Sequence, residues 1–86
     1  MGVFDYLFDM FDESRETLTE AGVTRITIDV NDLVDERVTQ IFVYSKDDDA
    51  NLEVISNDIE NETGYPVVIK SEEDFDSINE VTVYEE

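Results

Sequence analysis

Residues Thr24–Val30 read Thr-Arg-Ile-Thr-Ile-Asp-Val, in which apolar and polar side chains alternate. Every second side chain of an extended chain points the same way, so Ile26 and Ile28 face one side while Arg25 and Asp29 face the other. This pattern predicts a half-buried β-strand with one apolar face.

Three further strands are predicted on the C-terminal side of this one. Val38–Ser45 has no clean polar face, which is typical of a central strand. Pro66 stands at the entry to Val67–Lys70, a position that suits an edge strand or a strand start. Glu80–Tyr84 alternates again and is predicted to close the chain as the fourth strand.

Two helices are predicted from apolar residues at three- and four-residue spacing. The first is Val3–Ala21, ended by Gly22, and the second is Ala50–Thr63, ended by Gly64. The element order is therefore α-β-β-α-β-β. We expect a single α+β domain over residues 1–86, with two helices packed on one four-stranded, mostly antiparallel sheet.

Composition excludes several classes of function. The 86 residues contain 24 Asp plus Glu against 5 Lys plus Arg, a formal net charge of −19. Such a surface repels DNA, RNA and anionic lipid, so we expect no direct binding of nucleic acid or membrane. The sequence has no Cys and no His, which removes thiolate sites, the commonest general base and the commonest metal ligand. We therefore expect no enzymatic activity and no cofactor.

Order and location are also predicted from composition. High net charge is typical of disordered chains, but 41% of the residues are hydrophobic and 10% are aromatic, which favours a folded domain whose stability depends on salt. The N-terminus lacks a basic signal segment and no apolar run approaches ~18 residues, so we expect a cytoplasmic protein.

The candidate binding residues are all acidic. On the first predicted helix, three- and four-residue steps place six of them in a continuous stripe beside or opposite the apolar face: Asp5, Asp9, Asp12, Glu13, Glu16 and Glu20. Further acidic runs occur in the second half of the chain: Asp47, Asp48, Asp49, Asp58, Glu60, Glu62, Glu72, Glu73, Asp74 and Asp76. Like charges at helical spacing repel, and no run of basic residues accompanies them.

These acids predict a partner with a positively charged groove, and such grooves mostly belong to proteins that hold nucleic acid. A helix rises ~1.5 Å per residue, so the stripe offers a carboxylate every ~5 Å, while one DNA strand offers a phosphate every ~3.4 Å. Carboxylates that accept hydrogen bonds from Arg and Lys could stand in for phosphates. The predicted function is inhibition by DNA mimicry of a basic nucleic-acid-binding protein.

One acidic run also has the spacing of a divalent-cation site. Oxygen ligands alternate over Asp47–Glu53, as in the opening of an EF-hand loop, and Asp58 falls where such a loop closes. Leu52 stands where the loop needs Gly. A solvated acidic turn that caps the second helix is favoured, with weak Ca²⁺ or Mg²⁺ association left open.

Two other interpretations also stay open. Acidity can be an adaptation to high salt without naming a partner, although this sequence has few alanines and many isoleucines. Alternatively, the aromatic N-terminal segment forms a homodimer or packs on a partner helix, because Tyr6 and Met10 lie off the main apolar stripe.

Small size, extreme acidity and a compact α+β layout together resemble the DNA-mimic inhibitors of phages and mobile elements, which include anti-restriction proteins, anti-CRISPR proteins and the uracil-DNA glycosylase inhibitor. Locally, Ile59–Gly64 followed by Val67–Ile69 is similar to the helix-to-strand passage of the uracil-DNA glycosylase inhibitor. The resemblance lies in composition and size, since these proteins share no common fold. It implies an inhibitor of a host defence or DNA-processing protein, acting in the host cytoplasm.

Overall fold

A computed structural model describes residues 2–32, 37–45, 50–75 and 80–86. Within these residues the elements are, in chain order, α1 (Val3–Glu13), α2 (Arg15–Glu20), β1 (Val23–Asp32), β2 (Arg37–Ser45), α3 (Ala50–Thr63), β3 (Val67–Ser71), a 3₁₀ turn (Glu72–Asp74) and β4 (Glu80–Glu85). The predicted α+β class is confirmed.

The strands form one mixed sheet in the order β3-β2-β1-β4. β1 is antiparallel to both β2 and β4, whereas β3 is parallel to β2. The predicted central position of β2 and edge position of β3 are confirmed. The expectation of a mostly antiparallel sheet misses the parallel pair, which arises because α3 returns the chain to the end of the sheet where β2 began.

The predicted N-terminal helix Val3–Ala21 is wrong as a single element, because Ser14 separates α1 from α2. Ser14 has φ −94° and ψ 8°, which lies outside the α-helical region. α1 packs against β4 and α2 packs against β1, so the two helices follow different strands. Asp12 and Glu13 also place negative charge at the C-terminal end of α1, where the helix dipole disfavours it.

All three helices cover the same face of the sheet. The core joins Ile26 and Ile28 of β1 and Ile41 and Val43 of β2 to side chains from each helix: Leu7, Phe11, Leu18, Leu52 and Ile59. Gly22 and Gly64 have φ of 86° and 79° and end α2 and α3 as predicted. Both residues adopt a backbone conformation that L side chains rarely take.

The opposite face of the sheet is also partly covered, against the prediction of a half-buried β1. Thr27 and Tyr44 on this face are fully buried. Phe75, which follows the 3₁₀ turn, contacts Tyr44 edge to face with ring centroids 5.6 Å apart. The turn after β3 thus folds back over the sheet, which the polar character of Thr27 did not indicate.

Candidate partner-binding surface

The acids of α1 lie on its side away from the sheet. Leu7 and Phe11 are buried against the core, and Asp5, Asp9 and Asp12 follow in steps of four and three residues on the other side of the helix. All three are exposed, as is Glu13 beside them. The predicted stripe therefore exists along α1.

On α2, Glu16 and Glu20 lie four residues apart and are both exposed. Helical hydrogen bonds run into and out of the break, since the Ser14 N–H donates to the Met10 carbonyl at 3.2 Å and the Leu18 N–H donates to the Ser14 carbonyl at 2.9 Å. We call the six residues together the acidic line: Asp5, Asp9, Asp12, Glu13, Glu16 and Glu20.

Among the described residues, Arg15 is the basic residue that contacts the acidic line. Its Nε lies 3.5 Å from Asp12 Oδ1, an exposed pair that contributes little. The same side chain donates to the Glu85 carbonyl at 3.1 Å and lies 5.0 Å from the centre of the Tyr84 ring. Arg15 is thus held towards β4 and leaves most of the line without a counter-charge.

Two aromatic side chains flank the acidic line on α1. Tyr6 is 52% exposed and Phe8 is 44% exposed, on opposite sides of the acids by helical spacing. Met10, predicted to lie off the core face with Tyr6, instead packs against the core. The surface of α1 therefore combines carboxylates with exposed apolar area.

The acids of α3 do not form one stripe. Asp58 and Glu62 line a groove of about 180 Å³ between α3 and the α1–α2 pair, whose floor includes Phe11 and Ile59. Glu60 is also exposed. It is two residues from both Asp58 and Glu62, which is a rotation of ~200° around the helix, so it lies on the flank of α3 opposite the groove. The exposed outward positions between the flanks are uncharged: Val54, Asn57 and Asn61.

The acids of the 3₁₀ turn have different surroundings. Glu72 Oε2 accepts from Arg25 Nη1 at 2.9 Å, and its other oxygen accepts from the Thr24 hydroxyl. The expectation of carboxylates without a neutralising neighbour is therefore wrong at Glu72. Glu73 and Asp74 are exposed. The predicted residues Asp47, Asp48, Asp49 and Asp76 lie outside the described residues, and so does the start of the EF-hand-like stretch.

One acid that the sequence did not single out is built into the fold. The Glu80 side chain is 5% exposed and accepts from the hydroxyls of Thr27 and Tyr44, while Lys70 Nζ lies 3.8 Å from its Oε2. Burial is the largest cause that raises the pKa of Tyr44 above its ordinary value, and the hydrogen bond to Glu80 is the second largest. In the sequence, Glu80 is only the first residue of a predicted strand, and nothing there indicates that its carboxylate is buried and accepts hydrogen bonds.

Comparisons with models of protein families, with curated proteins and with solved structures found no match for this chain. Over residues 2–32, 37–45, 50–75 and 80–86, no group of three or more potential ligand side chains is arranged to hold a metal ion. In the same part of the chain, none of the helices has the length and apolar character that crossing a bilayer requires.

Proposed function

We propose that this protein is a non-enzymatic inhibitor that mimics DNA and occupies the basic groove of a nucleic-acid-binding protein. The observation that carries the proposal is the acidic line, six exposed carboxylates accompanied by one described cation that also bonds elsewhere. Neighbouring like charges on a helix destabilise it by ~0.2–0.5 kcal/mol per pair. A recognition role explains why such a surface is retained.

The acidic line supplies what an Arg- and Lys-lined groove normally obtains from phosphates. Carboxylates accept charge-assisted hydrogen bonds from both side chains, and Arg can engage two oxygens at once. Tyr6 and Phe8, exposed on either side of the line, add apolar contact area to the electrostatic attraction. Charge steers the encounter, and the aromatic contacts slow dissociation.

The uneven distribution of charge favours this function over a general acidic coat. The outward positions of α3 are uncharged although the net charge is −19. A coat that serves only solubility in high salt has no reason to align carboxylates along the exposed side of α1 and leave the outward side of α3 uncharged. Concentration along a line is what a partner groove can recognise.

A competition assay tests the proposal. Fluorescently labelled duplex DNA is bound to each of a panel of purified basic nucleases and DNA glycosylases, and its anisotropy is followed as this protein is added. We expect displacement from at least one member. The double variant Asp5→Lys/Asp9→Lys should weaken displacement at least tenfold, or ~1.4 kcal/mol.

The matched control is Glu53→Lys/Glu86→Lys, which reverses two exposed acids outside the acidic line. Each reversal adds two charges, so both double variants carry −15 instead of −19. The control should keep wild-type potency. Equal loss in both variants would show that overall charge, and not the acidic line, causes displacement.

A homodimer through the N-terminal helix is the second candidate, favoured by the exposure of Tyr6 and Phe8. Such a dimer brings two acidic lines together, which like-charge repulsion opposes. Phe8→Glu separates the two functions. If this surface binds a basic partner, the variant displaces DNA less well at an unchanged elution volume; if it dimerises, the elution volume increases.

A further inference from the structure

The free edge of β3 is a non-acidic part of this acidic protein. Thr63–Ser71, which includes β3 and its entry, contains no Asp or Glu and carries Lys70, in a chain with a net charge of −19. Val68 and Ile69 are 41% and 40% exposed. An exposed strand edge with apolar side chains is a template for pairing with another strand.

The backbone of β3 has three residues directed away from the sheet. The Ile41 N–H donates to the Pro66 carbonyl at 2.8 Å, so the backbone groups of Pro66 face β2. Because these directions alternate along a strand, Val68 and Lys70 also face β2. The groups on the free side belong to the remaining residues of the strand: Val67, Ile69 and Ser71. Among the described strands, none pairs with this side of β3.

The residues that usually protect a sheet edge do not protect this one. Lysine and proline are the common safeguards. Lys70 folds over the sheet, with its Nζ 4.1 Å from the centre of the Phe42 ring and 3.8 Å from Glu80 Oε2. Pro66 precedes the strand and directs its carbonyl towards β2. Among the described residues, no strand covers the outward N–H groups of β3, which a second strand can therefore reach.

We propose that two copies of this chain pair through their β3 strands, antiparallel about a two-fold axis at Ile69, and so join their two sheets into one. The outward residues then meet in order, with Ile69 opposite Ile69 and Val67 opposite Ser71. Each such pair exchanges two backbone hydrogen bonds. A two-fold axis is the commonest symmetry of soluble oligomers.

Charge selects a second copy as the occupant of this edge. In the antiparallel register, the acidic turn Glu72–Asp74 of one copy lies beside Gly64–Pro66 of the other, which contain no acid. Lys70 falls opposite Val68, so like charges do not meet across the axis. Thr63–Ser71 is thus a part of this acidic chain where two copies can meet without opposing carboxylates. The acidic line lies on helices that pack against β1 and β4, away from β3. Pairing through β3 therefore does not depend on the DNA mimicry proposed for the acidic line.

Sedimentation equilibrium over ~10 μM to ~1 mM tests the pairing. We expect a monomer–dimer equilibrium whose dissociation constant falls as NaCl is raised, because salt screens the repulsion between the two copies. Ile69→Lys places two ammonium groups opposite each other at the axis and should raise that constant at least tenfold. Val54→Lys, which makes the same charge change at a 59% exposed position on α3, should leave it unchanged.

A cysteine variant locates the axis directly and serves if Ile69→Lys does not fold. The chain has no cysteine, and opposite residues of a hydrogen-bonded antiparallel pair have Cα atoms ~5.5 Å apart, within reach of a disulfide. Ile69→Cys should therefore form a covalent dimer on mild oxidation, and Val54→Cys should not.

Three results would overturn the pairing. These are a wild-type protein that stays monomeric over the whole range, a dimer unaffected by Ile69→Lys, and an Ile69→Cys variant that oxidises no faster than Val54→Cys. If the protein were monomeric and Ile69→Lys nevertheless weakened DNA displacement, the edge would belong to a strand of the target protein.

Discussion

Two kinds of acidic residue can be distinguished among those that the structure describes, according to what their carboxylates contact. Glu80 and Glu72 accept hydrogen bonds from neighbouring side chains and lie close to Lys70 and Arg25. The carboxylates of the acidic line have mainly solvent around them. The first kind holds the sheet and the turn after β3 together, and the second kind is available to a partner.

Glu80→Gln should destabilise the fold by ~1–3 kcal/mol, because Lys70 loses its buried counter-charge and the hydroxyls of Thr27 and Tyr44 lose a charged acceptor. Glu73→Gln removes the same charge from an exposed position of the 3₁₀ turn and serves as the control. Urea denaturation measures both variants. Equal stability of the two would show that the Glu80 contacts contribute nothing.

Alkaline pH should destabilise the protein through Tyr44. Its pKa is raised in the folded state by burial and by Glu80, so folding favours the neutral phenol. This stabilisation is complete below the ordinary pKa of 10.0 and is lost as pH rises above it, by ~1.4 kcal/mol per pH unit. Denaturation at pH 9 to 11.5 should show a steeper fall in wild type than in Tyr44→Phe, while Tyr6→Phe, which removes an exposed hydroxyl, should keep the wild-type slope.

At the scale of secondary-structure elements, the sequence predicted the features that depend on residues close together in the chain. Gly22 and Gly64 marked two helix ends, and the apolar run in Val38–Ser45 marked a central strand. The break at Ser14 and the parallel direction of β3 could not be predicted in this way. Both depend on which strands the helices pack against, and periodicity shows which face of a helix is buried but not which strand that face contacts.

Charge reversal should have opposite effects at the two ends of α1. Asp5 lies in the first turn, where negative charge suits the helix dipole, whereas Glu13 is the last residue of the helix, where it does not. We expect Glu13→Lys to raise the free energy of unfolding by ~0.3–1 kcal/mol and Asp5→Lys to lower it by a similar amount. Thermal and urea denaturation of the two single variants at low salt provide the measurement. Identical shifts would mean that total charge, and not position on the helix, controls stability.

At the scale of the whole molecule, the sequence predicted how the carboxylates are grouped along α1 but not how they are grouped on α3 and the 3₁₀ turn. The three-residue and four-residue spacing along α1 was sufficient to place Asp5, Asp9 and Asp12 on one side. The two-residue spacing of Asp58, Glu60 and Glu62 should have separated them, because residues two apart lie on different flanks of a helix. The pairing of Glu72 with Arg25 joins positions 47 residues apart, a distance that no local pattern bridges.

Salt should stabilise the whole molecule. With a net charge of −19, repulsion between carboxylates is reduced as the Debye length falls from ~10 Å at 0.1 M to ~3 Å at 1 M ionic strength. We expect the midpoint of thermal unfolding to rise with NaCl while the protein remains folded at low salt. If it unfolded at low salt and displaced no DNA, the acidity would be an adaptation to a saline environment.

The salt dependence of inhibition tests directly whether a cationic groove recognises the acidic line. The inhibition constant for displacement of labelled duplex DNA from a basic target is determined over a series of NaCl concentrations, for wild type, Asp5→Lys/Asp9→Lys and Glu53→Lys/Glu86→Lys. We expect binding to weaken steeply with salt in wild type and in the Glu53→Lys/Glu86→Lys control, and less steeply once the acidic line is disrupted. An inhibition constant that is independent of salt, or a slope that the two double variants reduce equally, would contradict recognition of the acidic line by a cationic groove.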